Sequence, residues 1–185
     1  MRAIPAALAA AALAAAPALN AQEGEARFLE AESQPRIEYR LHVHPANAHV
    51  LTPAAALAPD TALNAAKLLN LHLSTGDLEE AAVLSTSPKR RFEVLQDYRQ
   101  SIGEEEFKRV FAQYFDPANR LLAEVAIDKH RLLIWELRGA PGTPSHLAGQ
   151  YFIEVDGKYL LNDVPDPVRT QLRRVLEAYR AGKLP

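Results

Sequence analysis

The sequence contains no cysteine, which excludes disulfide scaffolds, thiol catalysis and cysteine-ligated zinc or iron–sulfur sites. It also lacks a basic surplus: 21 Lys and Arg face 23 Asp and Glu, and a net charge of −2 argues against a nucleic-acid-binding protein. Glycine-rich phosphate loops, serine nucleophile elbows and HExxH zinc motifs are missing as well. The length of 185 residues and the ordinary composition predict one globular domain. We expect this domain to hold no cofactor.

Long apolar runs are confined to the first 21 residues, which are nearly all Ala, Leu and Pro. A short positive start precedes the apolar stretch Ala3–Leu19, and Ala18 and Ala21 each offer a small residue before a cleavage point. This layout predicts a cleaved signal peptide over residues 1–21, with an uncleaved membrane anchor as the alternative. We expect a periplasmic or secreted protein with no membrane span after cleavage.

Residues 22–59 predict an N-terminal extension with one strand and an Ala/Pro-rich connector. Residues 22–34 are acidic and poor in large apolar side chains, which indicates a loose lead-in or a short helix. Arg36–Val43 then alternates between polar and apolar residues, as a half-buried strand does. Its predicted inward side chains are Ile37, Tyr39, Leu41 and Val43.

Residues 60–185 predict an α+β domain, with helices first and antiparallel strands after them. Capping signals at Asp60 or Thr61, at Gly76 and at Asp77 delimit two helices, and Ser87-Pro88 begins a third. Two hairpins follow. The first joins 120–128 to 131–138 through a turn at Lys129-His130, and the second turns at Asp156-Gly157. A basic amphipathic helix over 168–181 closes the chain.

The stretch Leu69–Leu84, which reads LNLHLSTGDLEEAAVL, resembles the helix–Gly-Asp–helix opening of the nuclear-transport-factor-two-like, or SnoaL-like, superfamily. Val155–Leu161, with its Val-Asp-Gly-Lys turn, is similar to the final hairpin of that superfamily. The resemblance covers about Thr61 to Asp163. It implies a cone of helices closed by a curved antiparallel sheet, often around an apolar pocket and often dimeric. It transfers no activity, because the superfamily includes enzymes, ligand binders and assembly proteins.

A carboxylate on the first hairpin is the candidate catalytic group. A two-residue turn at Lys129-His130 would make Glu124 and Trp135 cross-strand neighbours, and a carboxylate enclosed beside an aromatic ring can act as a general base. Tyr114 and Tyr151 are the other aromatic candidates for lining an apolar pocket. The alternatives are an exposed strand glutamate and aromatic side chains that simply fill the core.

Two histidines on the first strand form the most metal-like pair. His42 and His44 are two residues apart, so both point to the same side of a strand and could contact one ion. Arg36 and Arg40 lie on the same polar face and would repel a cation. We therefore expect a solvated strand face and no metal.

Two basic clusters complete the candidates, and they could meet an anionic lipid or an acidic partner. They consist of Lys89, Arg90 and Arg91, and of Arg169, Arg173, Arg174 and Arg180. The absence of a convergent catalytic set favours a non-catalytic binding or accessory protein of the bacterial envelope, with a small apolar ligand, a protein partner or a second copy. A small-molecule lyase or isomerase using a pocket carboxylate is one alternative, and a protein-interaction module is another.

Overall fold

The computed structural model describes residues 24–31, 34–53, 56–139 and 142–184. Six strands form one antiparallel sheet in chain order, and it is open, with the first and last strands at its edges. These strands are β1 (Glu25–Ala31), β2 (Gln34–Val43), β3 (Arg120–Ile127), β4 (His130–Leu137), β5 (His146–Val155) and β6 (Lys158–Leu161). The described chain also holds the helices α1 (Ala62–Thr75), α2 (Leu78–Val83), α3 (Pro88–Ile102), α4 (Glu104–Ala112) and α5 (Pro167–Arg180). The α+β class is confirmed.

Helices cover both faces of the sheet, because β3 and β4 carry apolar side chains on both sides. On one face, which we call the helical face, α1 to α4 pack on Leu133, Trp135 and Phe152. On the other face, α5 packs through Leu172, Val175 and Leu176. The predicted grouping of the β3–β4 apolar residues on this second face is confirmed for Ala123, Val125, Ile127, Leu132 and Ile134.

Local capping chemistry sets the helix ends. The hydroxyl of Thr61 accepts from the N–H of Asn64 at the start of α1, and Gly76 ends that helix with φ of 85°. The carboxylate of Asp77 accepts from the N–H of Glu80 in α2, and α3 begins at Pro88. These ends agree with the predicted signals.

The N-terminal part differs from the prediction. Residues 25–31 form a strand, β1, where a loop or a short helix was predicted, and so two strands lie in the region predicted to hold one. β2 pairs with β1 on one side and with β3 on the other, which makes both strands part of the common sheet. Val43 was predicted to point inward but is 70% exposed. The predicted signal segment, 1–21, lies outside the described residues.

The first hairpin turns one residue earlier than predicted. Asp128, with φ of 49°, and Lys129 form the turn, and Ile127 pairs with His130. Glu124 therefore lies opposite Leu133 and not opposite Trp135. A register shift between Leu121 and Ala123 then moves Leu122 to the face of α5, opposite to its predicted side.

The last helix starts at a strong N-cap, since Asp166 accepts from the N–H of Arg169 over 2.7 Å. Its apolar stripe lies on the sheet. Arg169 and Arg180 contact residues of β5, whereas Arg174 lies beside Leu29 and Glu30 of β1. No helix in the described ranges is long and apolar enough to cross a membrane.

Candidate functional site

Two of the predicted pocket residues belong to the core. The rings of Tyr114 and Trp135 meet edge to face with centroids 5.1 Å apart, and Trp135 is 1% exposed. Burial raises the pKa of Tyr114 to about 12, with Tyr98 adding to the rise. Trp135 belongs to the buried core on the helical face, and the partly buried Tyr114 packs against that core.

Glu124 is buried in an ion pair. Its side chain is 2% exposed, and its Oε1 lies 3.2 Å from Nε of Arg131. The second oxygen, Oε2, lies 3.7 Å from Nε2 of His44. Neither of the two clefts described below is lined by Glu124. Its surroundings are those of a structural charge that is neutralised inside the fold.

The two strand histidines lie beside that carboxylate. His42 is the direct cross-strand partner of Glu124, and the rings of His42 and His44 meet edge to face at 4.8 Å. The sequence spacing did not reveal this acidic neighbour, because it comes from β3, about 80 residues away. Among the residues with described positions, no group of three or more His, Asp or Glu side chains is placed to hold a metal ion.

The fourth predicted residue, Tyr151, lies on an opening at the sheet edge. β6 pairs only with the second half of β5, and its register ends where Phe152 meets Leu161. Beyond that point a half-open cleft of about 270 Å³ lies between the edge of β5 and helices α1, α3 and α4. We call it the edge cleft, and Arg91, Leu95, Gly149, Tyr151, Asp163 and Arg169 are among its lining residues.

Two guanidinium groups from distant parts of the chain meet at the rim of the edge cleft. Arg91 of α3 forms a two-pronged ion pair with Asp163, whose Oδ2 accepts from its Nε over 2.8 Å. Burial lowers the pKa of Arg91, and the nearby charge of Arg169 lowers it further. Arg169 itself lies over the ring of Tyr151 at 5.3 Å. It makes no ion pair with any residue that the structure describes.

The α5 side of the same region is also cationic. A neighbouring opening of about 220 Å³ shares Tyr151 and Arg169 with the edge cleft and adds Arg173. Burial raises the pKa of the Tyr151 hydroxyl, and Arg169, Arg180 and Arg173 each oppose that rise. Three guanidinium groups are therefore close enough to the Tyr151 hydroxyl to influence it electrostatically.

The lining of the edge cleft is mixed: it combines apolar side chains with charged and amide groups, and Gln150 is one of the amides. Leu69, Leu73, Leu95, Phe111 and Leu161 supply apolar surface. Nε2 of Gln150 donates to Oδ1 of Asn70 over 3.2 Å. Oε1 of Gln150 and Nδ2 of Asn70 are buried without a hydrogen-bond partner in the described structure. One acceptor and one donor thus stay free beside an apolar surface.

Sequence reasoning found parts of this site but not the whole. Tyr151 was a predicted pocket residue, while Arg91 and Arg169 were predicted only as members of basic helix faces. The sequence spacing between them carries no signal, because the tertiary fold brings Arg91 of α3 and Arg169 of α5 to the same cleft at the edge of the sheet. Comparison with known proteins finds no matching family model, no similar curated protein and no similar solved structure.

Proposed function

We propose that this chain is a non-catalytic binding protein whose edge cleft receives a ligand with an apolar part and an anionic group. The observation that carries the proposal is Arg169, a half-buried guanidinium that has no carboxylate partner among the described residues and lies at the rim of an opening partly lined by apolar side chains. A cation in that position attracts a carboxylate or a similar anion, while the leucines beneath it favour an apolar group.

The edge cleft suits a small ligand, or one end of a larger ligand. Its volume of about 270 Å³ falls just below the range of ~300–1,000 Å³ that is usual for small-molecule sites. A lyase or isomerase with Glu124 as its base receives less support. That carboxylate is paired with Arg131 and lies outside the edge cleft.

The proposal includes export to the periplasm or beyond, which is supported by the Ala-rich segment 1–21. It also includes kinship with the SnoaL-like superfamily and the cone-like curvature of its sheet. The support for this kinship is the stretch Leu69–Leu84 and the hairpin Val155–Leu161. A ligand-binding role is compatible with that superfamily but does not depend on it.

Isothermal titration calorimetry with octanoate and with 1-octanol tests the proposal. We expect one equivalent of octanoate to bind, and 1-octanol to bind about tenfold more weakly, because a hydrogen bond to a charged group contributes ~1.5–3 kcal/mol. Arg169→Gln should remove that preference. The matched control is Arg90→Gln, because Arg90 is exposed, lies next to Arg91 and does not line the edge cleft.

Two results would contradict the proposal. One is equal affinity for octanoate and 1-octanol in the wild-type protein. The other is an equal loss of octanoate affinity in Arg169→Gln and in Arg90→Gln, since that would indicate a nonspecific effect of net charge.

A further inference from the structure

We propose that the ligand of the edge cleft is the carboxyl-terminal end of an extended peptide, which adds as a short strand to the open edge of β5 at Gly149. This inference depends on the proposed binding function and names the class of ligand. It is drawn from the pairing pattern of β5, from the groups that close each end of the open edge, and from the position of the cations.

Within the described residues, Gly149 pairs with Ile134 of β4 on one side and has no strand partner on the side of β6. In an antiparallel ladder, alternate residues bond to opposite neighbours. Glu154 donates its N–H to Lys129 on the β4 side, whereas Tyr151 accepts from the N–H of Asn162 on the β6 side over 2.7 Å. Gly149, two residues before Tyr151, therefore directs its N–H and C=O to the β6 side, where β6 has already ended.

The unpaired stretch of β5 around Gly149 is short, because the backbone carbonyl groups at both of its ends already accept hydrogen bonds. At one end, Nη2 of Arg180 donates to the carbonyl oxygen of Leu147 over 2.7 Å. At the other end, the backbone N–H of Asn162 donates to the carbonyl oxygen of Tyr151. The edge between Leu147 and Tyr151 is about 13 Å long, at ~3.3 Å per residue. A continuous strand of a folded partner would need a longer free edge, so the end of a chain fits better.

The positive charge at the edge cleft favours the carboxyl-terminal end of a peptide over its amino-terminal end. Arg169 and the Arg91–Asp163 pair lie at the Tyr151 end of the open stretch. A terminal carboxylate placed there meets the unpaired guanidinium of Arg169, while a terminal ammonium would be repelled. Leu69, Leu73, Leu95 and Phe111 then offer an apolar surface to the last side chain of the peptide.

Three forms of one tripeptide test the inference on the full chain by isothermal titration calorimetry. The probe is acetyl-Ala-Val-Leu with a free carboxylate, and its partners are the carboxamide form and a form N-methylated at the peptide bond before Leu. We expect the free acid to bind, and each modified form to bind about tenfold more weakly, since each loses a hydrogen bond or a charge pair. Arg169→Gln should weaken the free acid and leave the carboxamide unchanged, and Arg90→Gln should change neither.

The amide proton of Gly149 gives a second readout. Its hydrogen exchange should slow when the free-acid tripeptide is bound, because strand addition gives that N–H an acceptor. Equal affinity of the free acid and the N-methylated form, or unchanged exchange at Gly149, would overturn strand addition. If octanoate binds with dependence on Arg169 while no tripeptide binds, this inference fails and the proposed function stands. If neither probe binds, both fail.

Discussion

A double-mutant cycle on Glu124 and Arg131 distinguishes a structural ion pair from a functional carboxylate. Their side chains are 2% and 15% exposed, with Oε1 and Nε 3.2 Å apart. Arg131→Met leaves the buried carboxylate without its arginine partner, and Nε2 of His44 then lies 3.7 Å from its Oε2. Breaking a buried pair from one side in this way costs about 3–5 kcal/mol of unfolding free energy.

Replacing Glu124 while keeping Arg131 should cost less unfolding free energy. In Glu124→Leu the guanidinium of Arg131 keeps its hydrogen bonds to the carbonyl oxygens of Asp128 and His130, at 2.7 and 2.9 Å. Its expected cost is therefore about 1–3 kcal/mol, that of a partly satisfied polar group. The double variant removes both charges, and its free energy of unfolding should lie within about 1 kcal/mol of the wild-type value.

Urea unfolding followed by the fluorescence of Trp135, the single tryptophan, measures all four proteins. The account requires Arg131→Met to cost more than Glu124→Leu, and the two substitutions to couple by about 3 kcal/mol or more. Additive effects below about 1 kcal/mol would refute the assignment of Glu124 as a buried structural charge. Such a result would reopen its role as a general base.

Three further substitutions test other parts of the structure. Burial raises the pKa of Asp166, but hydrogen bonds from the N–H of Arg169 and the amide of Asn162 outweigh burial and keep the pKa below the ordinary 3.8. The ionised carboxylate therefore stabilises the folded protein above pH 3.8, and this contribution is lost as the pH falls through the lowered pKa. Asp166→Asn should therefore show a shallower loss of stability in acid unfolding curves, and an unchanged acid limb would contradict this. The pKa of Tyr114 rises from 10.0 to about 12, so stability should fall between those pH values and Tyr114→Phe should reduce the fall, as measured by urea unfolding at pH 9 to 12. Gly149→Ala places a Cβ 2.6 Å from Cδ2 of Leu176, and we expect a loss of about 1 kcal/mol in thermal unfolding, with a gain in stability as the contradicting outcome.

Much of the fold follows from local sequence chemistry. The cap residues Thr61, Gly76 and Asp77 act within one helical turn, so a single sequence predicts them well. β1 has no such local signal: in Glu25–Ala31 the large apolar residues Phe28 and Leu29 are adjacent and point to opposite faces. The pairing of β1 with β2 stabilises the strand, and that pairing is a tertiary effect.

The candidate site was harder to predict, because tertiary contacts assemble it. Arg91 and Arg169 lie on different helices, and the ion pair of Arg91 with Asp163 joins residues 72 positions apart. The open edge at Gly149 depends on where β6 ends, and strand ends are poorly determined by hydrophobic patterns. Glu124 lies opposite Leu133 because the hairpin turns at Asp128, which has a positive φ. This strand register differs by two residues from the predicted one.

Binding of an anionic, partly apolar ligand at Arg169 is the property of the edge cleft on which the proposed function depends. Titration of the ¹⁵N-labelled protein with octanoate, followed by amide chemical shifts, tests it most directly. The account predicts saturable shifts centred on Gly149, Tyr151 and Leu95, which disappear in Arg169→Gln and persist in Arg90→Gln. Saturable shifts that leave these three amides unchanged and lie elsewhere on the protein would contradict it.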